Sequence, residues 1–301
     1  MRISICVICY NYGRFLSDAI TSCLYQDGQW DDLEVLVLDD GSTDETPEIC
    51  ARFEHDPRVR ISRTENRGFG ATLTRGIREA KGDFVFLLDA DDRFLPQKLQ
   101  SISAQITDDT LYVEHPKRVI DASGNPVTNN ANQRSGQAAG STSTIGVRRD
   151  AALAMLPVEN EIGFHPLKHI GPALLMDQPL VDYRIHGNSM LDRESKGAWY
   201  FKLGGMTQRV ADRLVALSGQ APTWTSADQL TQVAAHFRMM AAFDWMEAAL
   251  QERRWLDAYR HAGGYLKHAF AARALNAQVL RHALRVARRK PIPQRSVVSS
   301  V

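Results

Sequence analysis

LEVLVLDDGSTDET, residues 33–46, decides how the first half of the chain folds. Leu33, Val35, Val37 and Leu38 read as a strand buried on both faces, as in a parallel sheet covered by helices. Asp39 and Asp40 then emerge where that strand leaves the sheet, the edge at which open α/β sheets bind ligands. Ser42 or Thr43 is expected to cap a helix over 46–53, with Glu45 in its first turn. Capping accounts for Ser42 to Glu45. It leaves two adjacent like charges at a strand end without a structural purpose.

Working outward, strand and helix signals alternate: strands over 3–9, 33–38, 59–62 and 84–88, helices over 15–24, 46–53 and 70–80. That rhythm predicts an α/β fold with a Rossmann-like, mostly parallel sheet and helices on both faces. A hairpin is expected from 111–115 and 118–121 with a turn at 123–125. The Gly/Ser/Asn/Gln-rich stretch 128–143 reads as a mobile loop. A strand over 144–148 and a helix over 150–155 follow, and the sheet region ends near 183–190.

Beyond residue 198 the apolar period becomes helical. Leu230, Val233, Phe237, Ala241, Trp245 and Ala248 share one face, as do Trp255, Tyr259, Ala262, Leu266 and Ala269. The expected organisation is a catalytic domain over 1–195, a helical C-terminal region over 196–290 and a disordered tail over 291–301.

Composition narrows the class. The chain has 301 residues, 44% hydrophobic and 24% charged, with a net charge of +1. After Asp257 there is no acidic residue but nine basic ones, so the charge excess sits in a basic tail and the rest is net negative. This argues against nucleic acid as a partner. Leu275, Val279, Ala283 and Val286 can form one face of a basic amphipathic helix, which suits contact with an anionic membrane.

Cys6, Cys9, Cys23 and Cys50 fall mostly in apolar runs. The Cys6–Cys9 spacing puts the two thiols on opposite faces of a strand, which predicts buried free thiols in a reducing compartment. The apolar run 3–9 is too short for a leader, and no stretch approaches about 18 apolar residues. The expectation is a cytoplasmic protein, possibly peripheral at the inner face of the membrane.

A second acidic cluster answers the first. The strand over 84–88 ends in Asp89-Ala90-Asp91-Asp92, on the same sheet edge as Asp39 and Asp40. So many carboxylates on one rim call for a hard cation, Mg2+ or Mn2+, which typically takes one or two protein carboxylates and substrate phosphates. The expected ligand is a diphosphate held through that cation.

Five segments occur in the order of one family: SICVICYNYGRFLSDAITSCL (4–24), VLVLDDGSTDET (35–46), ENRGFGATLTRGI (65–77), KGDFVFLLDADDRFLP (81–96) and MDQPLVDYRIHGN (176–188). Across roughly residues 1–190 the sequence resembles a family 2 nucleotide-sugar glycosyltransferase with the GT-A fold. The resemblance implies an inverting, metal-dependent transfer of a sugar from a nucleotide-sugar donor, UDP-linked by expectation, to a hydroxyl of a cell-surface or secreted glycan precursor, a glycan or lipid-linked acceptor.

It places Cys9, Tyr10 and Asn11 in the wall of the nucleotide site, with Asp40 accepting from the base and Asp39 supporting that corner. Asn66, Gly68 and Gly70 approach the nucleotide, the glycines at a helix start whose N–H groups suit an anion. Asp89 and Ala90 meet the ribose or the metal shell, Asp91 is the principal metal ligand with Asp89 beside it, and His186 lies near the diphosphate with Arg184, Gly187 and Asn188. Asp92 is read as capping the turn before Phe94.

Two positions depart from the family pattern. An Arg-Asn pair common in relatives is replaced by Leu73 and Thr74, leaving Arg67 or Arg75 as substitutes. The catalytic base is expected 15 to 20 residues before Met176, where the chain offers Glu161 first and Glu159 second instead of an Asp. A polyprenyl-phosphate acceptor, which needs no strong base, is the enzymatic alternative. A catalytically idle nucleotide-sugar-binding module is the non-enzymatic one.

Overall fold

The structure, a computed structural model, describes residues 1–28, 32–127, 140–186 and 195–288. The first half alternates as expected through β1 (Ile3–Cys9), α1 (Gly13–Leu24), β2 (Leu33–Asp39), α2 (Thr46–Ala51), β3 (Val59–Arg63), α3 (Phe69–Glu79) and β4 (Phe84–Asp89). Shorter elements follow: β5 (Arg93–Phe94), α4 (Lys98–Ser103), β6 (Tyr112–Glu114), β7 (Arg118–Ile120), β8 (Ile145–Arg148), α5 (Arg149–Met155), α6 (Leu167–Ile170), β9 (Ala173–Leu175) and β10 (Val181–Arg184). Four longer helices close the chain: α7 (Lys196–Ser218), α8 (Ala227–Gln251), α9 (Trp255–Ala271) and α10 (Ala277–Ala287).

The main sheet has the order β3-β2-β1-β4-β8-β6-β9. Strands β1 to β4 pair in parallel, and β8 enters antiparallel to both β4 and β6. Every residue of β1 is buried, as are all of β2 except half-buried Glu34, as required of central strands covered on both faces. Register then fixes the site: Cys9 pairs with Asp39, and Ile8 with Asp89, so both acidic clusters leave the sheet at one edge.

The hairpin expected from 111–115 and 118–121 does not form. β6 joins the main sheet, and β7 joins a second sheet of order β5-β10-β7. The turn at 123–125 instead reverses the chain after β7, with Asp121 accepting from the N–H groups of Ser123 and Asn125. The small sheet is fastened by Asp182, fully buried, whose carboxylate accepts from Arg93 and from two nitrogens of Arg118. Both arginines reach solvent, so the pair neutralises a buried charge without burying two more.

Two local expectations are corrected. Neither Ser42 nor Thr43 caps α2; Asp44 accepts from the N–H and hydroxyl of Thr46, while Ser42 Oγ accepts from Asn11 N–H. The end of the stretch read as a mobile loop is ordered: Thr142–Thr144 forms a 3-10 turn with all three residues buried. The rest of that stretch, 128–139, lies outside the described residues. The four cysteines are buried and free, and burial pushes the Cys9 and Cys23 thiols up to about 12.

The chain divides into two compact units, Met1–Gly187 and Asn188–Arg295. In the second, Leu230, Val233, Phe237, Ala241 and Ala248 are buried as the helical period predicts, whereas Tyr259, assigned to an inner face, is 49% exposed. Arg285 donates to both oxygens of Glu247, a carboxylate with no exposure. The tail over 291–301 lies outside the described residues.

Removal of the buried acid and removal of its partners should differ in cost. Asp182→Ala leaves two arginines that water can solvate and is expected to cost about 1–3 kcal/mol. The double variant Arg93→Ala/Arg118→Ala strands a buried carboxylate and should cost about 3–5 kcal/mol. Denaturant unfolding of both proteins checks the order; a larger loss for Asp182→Ala would contradict it.

Candidate functional site

The loops after β1, β2 and β4 meet at the carboxyl edge of the sheet. Asn11 adopts a left-handed backbone with φ of 58° and accepts from Thr43 N–H at 2.8 Å. Gly13 N–H donates to Asp44 at 2.9 Å, so the β1 and β2 loops are laced together. Tyr10 and Asn11 are exposed at this corner, whereas Cys9 is buried against Thr46 and belongs to the core rather than to a site wall.

Asp39 is almost completely buried, accepting from Ser42 N–H and facing Arg63, which makes it the support of its corner. Asp40 fastens two loops: its oxygens accept from Arg67 N–H and Gly68 N–H, each at 2.9 Å. The N–H groups at the start of α3, expected to await an anion, are therefore partly committed to Asp40. Gly68, at φ 86°, is required for its backbone conformation. Gly70 is required for close approach, but to the backbone of Val158 and Glu159, which a Cβ would meet at 2.7–2.8 Å. Asn66 is exposed and its Oδ1 accepts from Gly68 N–H. Leu73 and Thr74 are buried, with Thr74 bonded to Val158, and Arg75 donates to Ser62 and to the Asp39 carbonyl. Arg67 alone of the two candidate substitutes presents its side chain outward.

The second cluster is organised around Asp92. Its carboxyl is buried, with Arg184 N–H donating to one oxygen at 2.8 Å and Ser143 Oγ 2.6 Å from the other. This is no turn cap: Asp92 ties β10 and the Thr142–Thr144 turn to the end of β4. Ser143 Oγ also accepts from Asp89 N–H, and the Ser143 carbonyl accepts from Lys98 Nζ, which is fully buried over the Phe94 ring at 3.4 Å. Burial first, and the neighbouring Asp91 charge second, push the Asp92 carboxyl up to about 8. Asp89 is raised well above the usual carboxylate range by burial, then by Asp92, Asp91 and Glu161. Ala90 is buried, its N–H donating to the Ile8 carbonyl.

Asp91 faces His186, with Nε2 3.0 Å from Asp91 Oδ2. Arg14 Nη2 lies 3.4 Å from His186 Nδ1. An arginine can only donate, so Nδ1 accepts and the ring proton sits on Nε2, toward Asp91. Tyr12 and Phe15 hold the imidazole, their ring centroids 5.5 and 5.2 Å away. Arg184 serves structure, donating to the carbonyls of Asp91 and Ala122 and to Asp18. Gly187 and Asn188 lie outside the described residues.

Glu161, in the 3-10 turn Glu161–Phe164, accepts from Thr142 Oγ1 at 3.3 Å. Thr142 and Ser143 are adjacent, so one turn holds Glu161 on one side and Asp92 and Asp89 on the other. Burial raises the Glu161 carboxyl above its ordinary value. Glu159 is exposed, with its backbone against Gly70. The residues that sequence reasoning missed are Ser143, Thr142, Lys117 and Tyr183. Lys117 Nζ rests 3.8 Å from the centroid of the Tyr183 ring, and both residues feel the charges of Asp92, Asp89 and Glu161. Nothing in the local pattern around HPKR marks Lys117.

Among the described residues no three His, Cys, Asp or Glu side chains form a complete metal cage. The donor set nonetheless fits a hard cation that takes one or two carboxylates and completes its shell with phosphate and water. Asp91 turns one oxygen to His186, and the crowding that raises Asp89 is what a cation would relieve.

The family model described as glycosyl transferase family 2 matches residues 4–160, more than half of the chain. The chain belongs to glycosyl transferase family 2. An uncharacterized glycosyltransferase of Nostoc sp. is 37% identical over 124 residues, 40% of this chain and 38% of that protein. Chondroitin synthase of Escherichia coli is 32% identical over 133 residues, 43% of this chain and 19% of that protein. The matched segment thus spans well under two-thirds of these relatives' length.

Among solved structures, S. aureus TarS 1-349 in complex with UDP-GlcNAc superposes with a TM-score of 0.60 at 16% identity, covering 96% of this chain and 91% of that one. The mannosyltransferase PcManGT from Pyrobaculum calidifontis, in complex with GDP-Man and Mn2+, gives 0.54 at 18% identity over 95% and 86%. At such identities the likeness is one of fold, and the fold of this family 2 member is GT-A.

The raised Asp92 carboxyl sets a pH dependence. The folded protein keeps this proton to about pH 8, whereas an ordinary Asp loses it near 3.8, so the folded form binds more protons between those values. Its contribution to stability is full below 3.8 and declines as pH rises through that window. Asp92→Asn keeps the two hydrogen bonds with a neutral group. In metal-free protein it should flatten the decline of melting temperature between about pH 4 and pH 8; an unchanged slope would contradict the assignment.

Proposed function

We propose that this chain is an inverting, metal-dependent glycosyltransferase that moves a sugar from a nucleotide-sugar donor to an acceptor hydroxyl. One observation carries the reading: the Thr142–Ser143 turn holds Glu161 within electrostatic reach of Asp89, beside Asp91 and His186 on the sheet edge. A base and a diphosphate-binding cluster on either side of one point are what a direct displacement requires. Glu161 takes the proton of the acceptor hydroxyl as its oxygen attacks the anomeric carbon, and the electron pair of the breaking bond leaves with the nucleoside diphosphate. Its raised carboxyl suits a base working near neutral pH. Asp91, with Asp89 beside it, would hold a Mg2+ or Mn2+ ion, which supplies positive charge to the departing diphosphate.

Tyr10 and Asn11 frame the nucleotide corner. Asp40 reads a base N–H through the lone pairs left after Arg67 and Gly68 are served, which suits uracil. Complexes of fold relatives with UDP-GlcNAc and with GDP-Man and Mn2+ support a nucleotide sugar and a divalent cation. A retained carboxylate at the base position favours a hydroxyl acceptor over a polyprenyl phosphate.

Asp91→Asn should abolish metal-dependent donor binding and nearly all transfer while leaving the melting temperature within a few degrees of the parent. Retained metal-dependent activity would refute its role. Glu161→Gln should lower turnover by about 10²- to 10⁴-fold with donor affinity little changed. Normal turnover would move the base to Glu159 if Glu159→Gln is inactive. Normal turnover in both would favour a phosphate acceptor, and absent transfer with tight nucleotide binding in the parent would favour an idle binding module.

A peripheral membrane role now rests on a different helix face. Val279 and Val286 are buried within the helical unit, so the face expected to meet lipid is used in packing. The outer face of α10 carries exposed Leu280 and Leu284 beside exposed Arg281 and Arg288, and no helix among the described residues is long and apolar enough to cross a membrane. Each basic group near an anionic surface contributes about 1 kcal/mol. Co-sedimentation with anionic vesicles, reversed by salt and lost in Leu280→Asp/Leu284→Asp, is the expected result; equal sedimentation of parent and variant would make the face ordinary surface.

A further inference from the structure

Lys117 precedes β7, and its ammonium lies on the Tyr183 ring of β10. The next residue of β10, Arg184, is the one whose N–H holds Asp92. Lys117 is thereby brought near the acidic cluster, close enough to feel the charges of Asp92, Asp89 and Glu161. Among the described residues its Nζ forms no ion pair within 4.0 Å and no hydrogen bond. A half-buried lysine next to three acids ordinarily pairs with one of them. Here an aromatic face supports the cation and leaves its three N–H donors uncommitted, a geometry that suits an incoming anion.

The charge balance identifies the anion. The carboxyls of Asp92, Asp89 and Glu161 hold their protons more tightly than ordinary acids, and their charges work to keep the Lys117 proton in place against burial. A nucleoside diphosphate arriving with a divalent cation adds further negative charge, which grows on the leaving oxygen as the glycosidic bond breaks. A cation that is fixed, desolvated and unpaired acts most strongly on charge that develops late.

We propose that Lys117 is a further catalytic residue of the transfer, donating hydrogen bonds to the departing β-phosphate while Tyr183 holds its ammonium in place. This rests on the nucleotide-sugar reading above. In the step, the anomeric carbon–oxygen bond breaks, its electron pair goes to the β-phosphate oxygen, the acceptor oxygen bonds to the anomeric carbon and its proton goes to Glu161. Lys117 keeps its proton throughout.

The test uses the full chain with Mn2+ and four probes, UDP, UMP, GDP and GMP, together with release of nucleoside diphosphate from UDP-GlcNAc and GDP-Man. Lys117→Met and Lys117→Gln should lower turnover about 10²-fold, as loss of one oxyanion donor does. Both should weaken the preferred diphosphate about tenfold and leave the matching monophosphate unchanged. Lys117→Arg should recover part of the rate, whereas Tyr183→Leu should show the same diphosphate-selective loss in weaker form. Unchanged turnover and diphosphate affinity in a Lys117 variant that melts like the parent overturns the role. Equal loss of monophosphate and diphosphate also overturns it, since that marks a collapsed pocket. A parent protein that binds none of the four nucleotides removes the nucleotide-sugar reading itself, and the assignment of Lys117 with it.

Discussion

The buried carboxyl of Asp92 is the constraint on which the site depends. One of its oxygens receives the backbone N–H of Arg184, and the other meets the hydroxyl of Ser143. Three separate stretches, the end of β4, strand β10 and the turn after residue 140, are thus brought to one point. The cost of burying a carboxyl is offset by holding it protonated or fully bonded, and its raised proton affinity is the visible sign of that arrangement.

Positioning here runs through small polar residues rather than through the acids themselves. Thr142 touches Glu161 and Ser143 touches Asp92, so the spacing of these two carboxyls is set by one peptide unit. Lys98, buried under Phe94, fixes the Ser143 carbonyl from behind. A lysine with no exposure is costly, and burial drives its proton affinity far down. Its retention at this point is explained by what it holds: a turn whose backbone must not move relative to β4.

The parallel half of the fold was legible because its signals are local. Buried strands 33–38 and 84–88 ended in acids, and parallel pairing carried both to one edge, where the register puts Cys9 opposite Asp39 and Ile8 opposite Asp89. The second sheet was illegible for the opposite reason. β6 and β7 are three residues each, and their partners, β8 and β10, lie far along the chain. Short strands without alternation look like a hairpin whenever they are close in sequence. Ser143 was hidden by its neighbours: glycine, serine and glutamine read as loop, and nothing in that composition separates the buried end from the rest. Glu161 was named as a candidate through a family expectation about position, and its surroundings came only from the fold.

Counting hydrogen-bond donors separates the carboxylates whose charge the chain itself answers from those it leaves under-served. Asp182 receives three donors from two arginines, Asp40 two backbone N–H groups, and Asp44 three donors from Thr46 and Gly13. Such acids have their charge answered within the chain, and several are buried because it is answered. Among the described residues Asp91 is bonded by His186 at 3.0 Å, and Glu161 by the Thr142 hydroxyl at 3.3 Å and by its own N–H. Asp89 faces three other acids, and no side-chain donor to its carboxylate is found among the described residues. A cluster this poorly served holds its protons tightly, because unpaired charges at low dielectric are costly, and a cation would relieve the same crowding. The carboxylates that remain under-supplied after the fold has made its bonds, Asp91, Asp89 and Glu161, are the ones proposed above to meet a cation and to take a proton.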